Sequence, residues 1–383
     1  MVTDENGGAA TGKDGKLALK DRIKRAVAAM DAAGVDGLLL CPGADLFYLS
    51  GFEHSHAGER LLALLLRRDG SNCWIVPTMN REQVEAHALR SQTIIAWTDS
   101  ETYRPALSAA LQGLKSLAFD DEARAAFLLD AIDADSNLRI VRSSSVMRGL
   151  RIRKTNEEIA ALRRAGETVD QAIPEATALC RAGMQESEVE DALRAVLLRL
   201  SPESSIGFSI VASGLNSALP HHETGRRVLR RGDVVVLDYG TRLAGYYSDI
   251  TVSCSIGEPA DSDVRKVYRV VWEAQQRALE AVRPGIVCAE IDRAARDVIS
   301  EAGYGLQFLH RTGHGLGLQI HEPPYMVSGN DERLEEGMVF SVEPGIYLAG
   351  RFGIRLEVIA SVTADGVSLI NAPSAPQLPI SPG

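Results

Sequence analysis

The chain of 383 residues has a formal net charge of −10 and an isoelectric point near 5.4. Its 45% hydrophobic and 24% charged residues are typical of a globular protein, which excludes collagenous, coiled-coil and broadly disordered chains. The acidic balance argues against a general nucleic-acid binder, because such proteins display a basic face. The length predicts two domains.

The first 16 residues, MVTDENGGAATGKDGK, are predicted to form a flexible leader, because they are polar and lack the apolar segment of a secretory signal. The aliphatic run from Leu61 to Leu66 is far shorter than the ~20 residues that span a bilayer, so no membrane association is expected. Five scattered cysteines without a Cys-x-x-Cys pair predict neither a disulfide framework nor a thiolate metal site, and they fit a reducing cytoplasm.

Residues 17–150 alternate between helical and strand patterns, which predicts a layered α/β domain. Helices are predicted over LKDRIKRAVAAMDAAG, REQVEAHA, YRPALSAALQG and EARAAFLLDAI, and strands over DGLLLC, LLALLL, CWIV, TIIAW, SLAF and RIVR. The segment contains no phosphate-loop or dinucleotide-binding glycine motif. A second domain is predicted over residues 151–383, after a boundary in RGLRIRK.

The second domain shows signs of an internal duplication. Thr155 and Glu158 predict a capping box that opens a long helix, which Pro174 would kink or shorten. The segment RAGMQESEVEDALR resembles RPGIVCAEIDRAAR, which lies 102 residues later. Each segment follows a long helical pattern, begins a second helix and precedes strands. We therefore expect an α+β domain with two repeats about a pseudo-twofold axis.

The first repeat ends in a predicted hairpin, VVVLDYGTRLAGYYSDITVS, that carries two carboxylates. Asp238 and Asp249 are symmetric about Leu243 and Ala244, so they are predicted to face each other as a cross-strand pair. A carboxylate so close to an apolar strand needs a partner, because an unpaired buried charge costs several kcal/mol or takes up a proton.

The second repeat ends in a similar hairpin, SVEPGIYLAGRFGIRLEV, in which Glu343 and Glu357 are symmetric about Gly350. If the repeats pack about a twofold axis, all four acids converge on one point. Such acids repel one another unless bound cations compensate their charge, and two divalent ions would do so. The segment GHGLGLQIHEPP offers His314 and His321 as nitrogen ligands. Oxygen ligands with one imidazole suit manganese, cobalt, iron or zinc.

Two divalent ions held ~3.5–4 Å apart can share a water, lower its pKa and polarise a carbonyl, which predicts hydrolytic chemistry. A zinc-protease H-E-x-x-H helix is not indicated, because the stretch that ends at His314 reads HRTGH, without the glutamate and with a glycine that weakens a helix.

These residues resemble the M24 metallopeptidases of the pita-bread fold, especially the Xaa-Pro dipeptidases (prolidases) and aminopeptidase P. The motif resemblance spans roughly residues 155–362, and the preceding domain resembles the N-terminal domain of that group. Five positions match the family's metal ligands, with spacings of 11, 65, 29 and 14 residues: Asp238, Asp249, His314, Glu343 and Glu357.

The resemblance also implies a role for each residue. Asp249 and Glu357 would bridge the two metals, His314 and Glu343 would complete one site, and Asp238 would chelate the other. Glu343 would also shuttle a proton from the bridging water to the departing amine.

Three further positions match residues of the family, and two of them are substrate-side histidines. His221 matches one histidine, and His321 matches a second that would hydrogen-bond the scissile carbonyl. Arg355 matches the arginine of an Arg-x-Glu motif, whereas His222 is expected to have no role. Some dedicated prolidases hold the terminal carboxylate of the substrate with an arginine at the position of Tyr325, and this departure questions strict dipeptide specificity.

The resemblance predicts a cytoplasmic Xaa-Pro dipeptidase, a homodimer with two divalent ions per chain, manganese being preferred over cobalt, zinc or iron. Its substrates would be short proline-containing peptides. Aminopeptidase P activity on longer peptides and a peptide-binding module without activity remain alternatives. The N-terminal domain argues against methionine aminopeptidase, and the five ligands argue against a metal-free relative such as creatinase.

Overall fold

The computed structural model describes residues 13–54, 58–87 and 93–382. The chain divides into two units, Met1–Arg151 and Ile152–Gly383. Helix α1 (Lys13–Ala33) begins within the segment predicted as a leader, and the rest of that leader lies outside the described residues. None of the helices in these ranges is both long and apolar enough to cross a bilayer.

The first unit is built on a six-stranded mixed sheet in the order β4-β3-β2-β1-β5-β6. Its strands are β1 (Gly37–Leu40), β2 (Ala63–Arg67), β3 (Asn72–Pro77), β4 (Thr93–Trp97), β5 (Ser116–Phe119) and β6 (Arg139–Arg142). The other helices are α2 (Ala44–Ser50), α3 (Arg81–His87), α4 (Arg104–Leu111), α5 (Ala125–Ala134) and α6 (Ser144–Arg151). Strands β1 and β5 are buried along their whole length, as their continuous apolar sequences require.

The predicted α/β alternation of this unit is confirmed, but α2 and α6 were not predicted. Helix α2 spans only seven residues and α6 only eight, too few turns for an apolar period to show clearly in the sequence.

The second unit contains two helix pairs, each followed by strands. The helices are α7 (Asn156–Leu179), α8 (Glu186–Leu200), α9 (Val264–Ala281) and α10 (Cys288–Glu301). The strands of the first half are β7 (Ser205–Ser213), β8 (Val234–Leu243), β9 (Tyr246–Tyr247) and β10 (Ile250–Ile256). Those of the second half are β11 (Gly313–Gly315), β12 (Glu322–Met326), β13 (Val339–Val342), β14 (Gly345–Leu348), β15 (Phe352–Arg355), β16 (Val358–Thr363), β17 (Gly366–Leu369) and β18 (Ile380–Ser381).

Two sheets carry the site residues. One has the order β18-β10-β8-β7, with β9 paired to β8, and the other has the order β12-β11-β13-β16-β17. Strands β14 and β15 form a separate hairpin. The predicted capping box of α7 is present, and the helix continues through the exposed Pro174 to Leu179 instead of ending there. Helices α9 and α10 pack on the second sheet through residues such as Val271, Ile291 and Phe340.

The backbone hydrogen bonds show the duplication directly. In the loop between the helices of each pair, one glycine N–H donates to a leucine carbonyl further along the chain. Gly183 donates to Leu229, which lies before β8, at 2.9 Å, and Gly285 donates to Leu334, which lies before β13, at 2.8 Å. The next residues form matching isolated bridges, Gln185 with Val228 and Val287 with Arg333. The internal repeat predicted from the sequence is therefore confirmed.

The register of β8 and β10 corrects one prediction. Asp238 pairs with Thr251 and not with Asp249. The turn lies at Ala244 and Gly245, which have φ angles of 51° and 88°, one residue later than predicted. A turn shifted by one residue moves every cross-strand partner by two, so Asp249 lies immediately before β10.

The second hairpin has the predicted centre. Gly345 pairs with Arg355 and Leu348 with Phe352, a register symmetric about Gly350. Glu343 and Glu357 lie just beyond the paired ends of these two strands.

Candidate metal centre

Three of the candidate ligands lie where the chain passes from one strand to the next. Asp249 lies between β9 and β10, Glu343 between β13 and β14, and Glu357 between β15 and β16. Their positions are fixed by backbone bonds to neighbouring strands: Glu343 N donates to Thr312 O at 2.8 Å, and Glu357 N donates to Thr251 O at 3.0 Å. The second of these bonds joins the two repeats at the site.

His314 is the middle residue of the short strand β11 and is flanked by two glycines. A Cβ atom at Gly313 would lie 1.8 Å from the carbonyl oxygen of Ser341, and one at Gly315 would lie 2.3 Å from that of Pro323. Only glycine allows such close strand packing. The Gly-His-Gly sequence thus allows the imidazole of His314 to lie buried in the site, where the residue is 2% exposed.

The structure brings all five candidate ligands together. Their side-chain donor atoms fall into three overlapping groups, and the atoms of each group lie within 4.8 Å of one another. The groups are Asp238, Asp249 and Glu357; His314, Glu343 and Glu357; and Asp249, His314 and His321. His314 Nε2 lies 3.3 Å from Glu343 Oε1 and 3.5 Å from Asp249 Oδ2.

The acids of this cluster repel one another in a buried place. Burial raises the pKa of Asp249, and the charges of Asp238 and Glu343 raise it further. Burial followed by the charges of Asp249 and Glu343 likewise raises the pKa of Glu357. Burial raises the pKa of Glu343 to about 7, although the positive charge of Arg355 opposes the shift. Without a compensating cation the cluster therefore holds protons that ordinary carboxyl groups release.

The donor atoms themselves fit divalent ions. Asp238 Oδ1 and Glu357 Oε1 are buried and have no hydrogen-bond partner among the described residues. Burial lowers the pKa of His314 to about 3, so the ring is neutral near pH 7. Its Nδ1–H donates to Gly315 O at 3.1 Å, which leaves the Nε2 lone pair directed at the acids. Free carboxylate oxygens and an imidazole nitrogen are suitable ligands for divalent transition metals.

Arg355 forms hydrogen bonds with several groups that surround these ligands. Its Nη2 donates to Asp238 Oδ2 at 2.5 Å and its Nη1 to the Tyr347 hydroxyl at 2.8 Å. Its Nε donates to Thr251 Oγ1 at 3.1 Å. Because the guanidinium is 4% exposed and engaged on each side, it holds Asp238 in place. The arginine of the Arg-x-Glu motif is therefore hydrogen-bonded to a candidate metal ligand.

Gln275 of α9 supports the ligands from the core side, and no sequence signal indicated it. Its Nε2 donates to Val342 O at 3.1 Å and to Leu356 O at 2.9 Å, the carbonyls that directly precede Glu343 and Glu357. One fully buried amide thus connects the backbones of both glutamates.

His221 and His321, the two histidines expected on the substrate side, are both exposed. The ring of His321 lies edge-on to that of His314, with centroids 4.2 Å apart. His221 follows Pro220, whose carbonyl oxygen accepts a bond from Arg355 Nη1 at 3.3 Å. The structure therefore places His321 against the cluster and ties the loop of His221 to Arg355.

That loop has a second anchor, which is His222, the neighbour expected to be a bystander to the substrate. His222 Nε2 donates to Glu186 Oε2 at 2.9 Å. Glu186 is fully buried at the start of α8, and its Oε1 accepts 2.7 Å bonds from both the backbone N–H and the hydroxyl of Ser213. Burial acts to raise the pKa of Glu186, but the bonds from Ser213 and His222 leave it lowered. Glu186 was missed because an acid at a helix start normally indicates only capping.

Comparison with known proteins agrees with this geometry. Residues 160–364 match metallopeptidase family M24, and residues 22–153 match the creatinase/prolidase N-terminal domain. The probable dipeptidase PepE of Mycobacterium tuberculosis is 42% identical over 358 residues, which cover 92% of this chain and 94% of that protein.

Two further relatives extend the comparison. The Xaa-Pro dipeptidase of Pyrococcus horikoshii is 31% identical over 349 residues, 91% of this chain and 96% of that protein. The crystal structure of dipeptidase PepE from Mycobacterium ulcerans has a TM-score of 0.89 at 37% identity and covers 96% of this chain and 99% of that chain.

The expected pita-bread fold of the second unit and the α/β N-terminal domain are confirmed by these matches together with the duplicated topology. The chain belongs to metallopeptidase family M24 and carries a creatinase/prolidase N-terminal domain.

Proposed function

We propose that this chain is an Xaa-Pro dipeptidase, which hydrolyses the bond between an N-terminal residue and proline. The observation that carries the proposal is the convergence of four carboxylates and one neutral imidazole from two repeats. The dipeptidase names of relatives at 42% and 31% identity support the substrate class. Proline lacks an amide N–H and has a fixed φ, so it requires a dedicated site.

Five residues would hold two divalent ions: Asp238, Asp249, His314, Glu343 and Glu357. Manganese is proposed first, with cobalt, zinc or iron as alternatives, because the donors are mostly oxygens. When bound, such a pair lowers the pKa of a shared water and polarises a carbonyl.

The protein groups would then perform three tasks. Glu343, within reach of His314, would accept the proton of the attacking water and deliver it to the proline nitrogen. His321 would donate a hydrogen bond to the carbonyl oxygen as negative charge develops on it. Arg355 would keep Asp238 oriented, and His221 would contact the substrate from the loop that Arg355 anchors.

The test begins with protein stripped of metal and reloaded with Mn²⁺ or Co²⁺, its metal content being measured by mass spectrometry. We expect about two ions per chain and hydrolysis of Ala-Pro. Asp249→Asn should reduce both the metal content and turnover. Full metal occupancy without hydrolysis of Ala-Pro or Ala-Pro-Ala would refute the proposal, and absence of bound metal would favour a peptide-binding module.

Aminopeptidase P activity is the second candidate, and one observation favours it. Tyr325 stands where some prolidases have an arginine for the terminal carboxylate of the substrate. A higher kcat/KM for Ala-Pro-Ala than for Ala-Pro would select this candidate.

We also propose a cytoplasmic location and a homodimer. All five cysteines are free thiols, which supports a reducing compartment. The dimer is supported by the family resemblance, and sedimentation of the purified chain tests it.

A further inference from the structure

One cation beside the metal centre has no anionic partner. Arg311 lies three residues before His314 and is half-buried. Its guanidinium makes neither a hydrogen bond nor an ion pair with any residue in the described ranges, and it lies over the ring of Tyr325. Arginine suits ion pairs with carboxylates, because its planar guanidinium presents several N–H donors. The partner of Arg311 is therefore sought outside the protein.

The contact with Tyr325 leaves the N–H donors of Arg311 available to a ligand. The guanidinium carbon lies 4.6 Å above the centre of the Tyr325 ring. This cation–π contact uses none of the N–H donors of the guanidinium in a hydrogen bond. The tyrosine thus fixes the orientation of the arginine while leaving its hydrogen-bonding edge available.

The location of this pair relates it to the ligands. Tyr325 on β12 is the direct cross-strand partner of His314 on β11, so the two side chains lie on the same face of the sheet. Arg311 lies over the ring of Tyr325 and is therefore next to the strand pair that carries a candidate metal ligand.

Three other basic groups in the described part of this unit are already paired. Arg355 binds Asp238, Arg296 binds Asp292 at 2.9 Å, and Lys154 binds Glu322 at 2.8 Å in a pair that is almost fully buried. A substrate carboxylate that approached them would have to displace an existing anion. Arg311 requires no such displacement.

We propose that Arg311, stacked on Tyr325, binds the free carboxylate of the proline residue in Xaa-Pro dipeptides. This inference rests on the proposed function and specifies its substrate. In a dipeptide the carboxylate follows the scissile bond by one residue, whereas in a longer peptide an uncharged amide takes that place. Arg311 would thus supply the charge that Tyr325 lacks, and it would favour the dipeptidase over aminopeptidase P.

The test compares Ala-Pro with alanyl-prolinamide, which differs only in lacking the negative charge. Arg311→Met should lower kcat/KM for Ala-Pro about 10- to 100-fold, the range for a charge-assisted hydrogen bond, mainly through KM. The same variant should leave kcat/KM for alanyl-prolinamide unchanged. Arg311→Lys should recover part of the loss, because it keeps the charge but not the planar fork. Arg277→Met, on the exposed face of α9, controls for the loss of one positive charge.

Equal losses on both substrates would show that Arg311 acts on the metal centre, and no loss on either would also overturn the proposal. A binding measurement separates this result from failure of the proposed function. Calorimetry with proline and prolinamide should show tighter binding of proline to the wild type and no such preference in Arg311→Met. If the wild type hydrolyses no Xaa-Pro peptide but retains this preference, the proposed function fails while the anion site stands. If the wild type shows no preference, the anion site is refuted.

Discussion

Thr251 and Glu357 are joined by two hydrogen bonds across the boundary between the repeats. Glu357 N donates to Thr251 O at 3.0 Å, and Thr251 Oγ1 donates to Glu357 Oε2 at 2.8 Å. The same hydroxyl accepts a bond from Arg355 Nε. Thr251 is also the cross-strand partner of Asp238, so one buried threonine orients ligands from both halves of the domain.

Replacement of Thr251 by valine should therefore weaken metal binding. Valine has the same shape but lacks the hydroxyl, so Glu357 and Arg355 each lose a partner. Loss of such supporting bonds typically lowers metal affinity or activity about 10- to 100-fold. The measurement is the Mn²⁺ affinity by titration calorimetry together with kcat on Ala-Pro.

Two variants control this experiment. Thr251→Ser restores the hydroxyl and should recover most of the affinity. Thr168→Val alters a buried threonine in α7 whose hydroxyl bonds only within its helix, and it should leave Mn²⁺ affinity unchanged. Equal affinities for wild type and Thr251→Val would show that the backbone bond alone positions Glu357.

Asp249→Asn should have opposite effects on stability with and without metal. In the metal-free protein it replaces a carboxyl group that must take up a proton, because burial and neighbouring acids raise its pKa, so we expect a gain of about 1 to 3 kcal/mol in the free energy of unfolding. With Mn²⁺ at 100 times its dissociation constant, the wild type gains about 2.7 kcal/mol, a gain that the variant should lack. Denaturant titrations with EDTA and with Mn²⁺ measure both values.

Asp297→Asn, an exposed change on α10, is the matched control and should alter neither titration. If Asp249→Asn destabilises the metal-free protein, repulsion among the acids does not disfavour the folded state, and the electrostatic reason for metal binding is wrong.

Much of the candidate site could be predicted, because hydrophobic patterns located the strands and acids interrupt those patterns. The hairpin with Gly350 at its centre was placed correctly, since a glycine at positive φ marks the turn. The other hairpin was misplaced by one residue. Its turn puts Ala244 at a positive φ, which alanine rarely adopts, so no local signal distinguished this turn from its neighbour.

The residues that support the site could not be predicted at all. Gln275 and Glu186 lie in helices, where a polar residue is ordinarily exposed. Their hydrogen-bond partners are distant in sequence, at separations of 67 to 81 residues for Gln275 and 27 to 39 residues for Glu186. Only the folded structure shows which backbone groups they reach.

Glu186→Gln should reduce catalysis without weakening metal binding. The buried carboxylate accepts bonds from Ser213 and His222, whereas an amide nitrogen would face these donors. The loop that carries His221 should then lose its fixed position, and we expect kcat/KM on Ala-Pro to fall about tenfold, the effect of losing one substrate-positioning bond.

Mn²⁺ affinity should be unchanged in Glu186→Gln, because among the described residues no hydrogen bond joins Glu186 to any of the five candidate ligands. Glu188→Gln is the control on the same helix, since its side chain is exposed and only caps the helix. A parallel loss of metal affinity would show that Glu186 supports the whole domain and not this loop.

His310 should make the stability of the protein sensitive to mild acid. Burial lowers its pKa to about 4, and its Nε2 accepts a bond from the Tyr347 hydroxyl because Nδ1 donates to Arg311 O. The unfolded chain, with a histidine pKa near 6.5, binds more protons than the folded chain below that pH. The contribution of neutral His310 to the free energy of unfolding is therefore complete above pH 6.5 and is lost as the pH falls towards 4.

Between pH 7 and pH 5, His310 should lower the free energy of unfolding by about 2 kcal/mol. In His310→Gln this loss is absent, so the stability difference between wild type and variant should change by that amount in denaturant titrations of metal-free protein at the two pH values. Site acids titrate in both proteins and cancel in the comparison, so a difference that does not vary with pH would show that folding does not lower the pKa of His310.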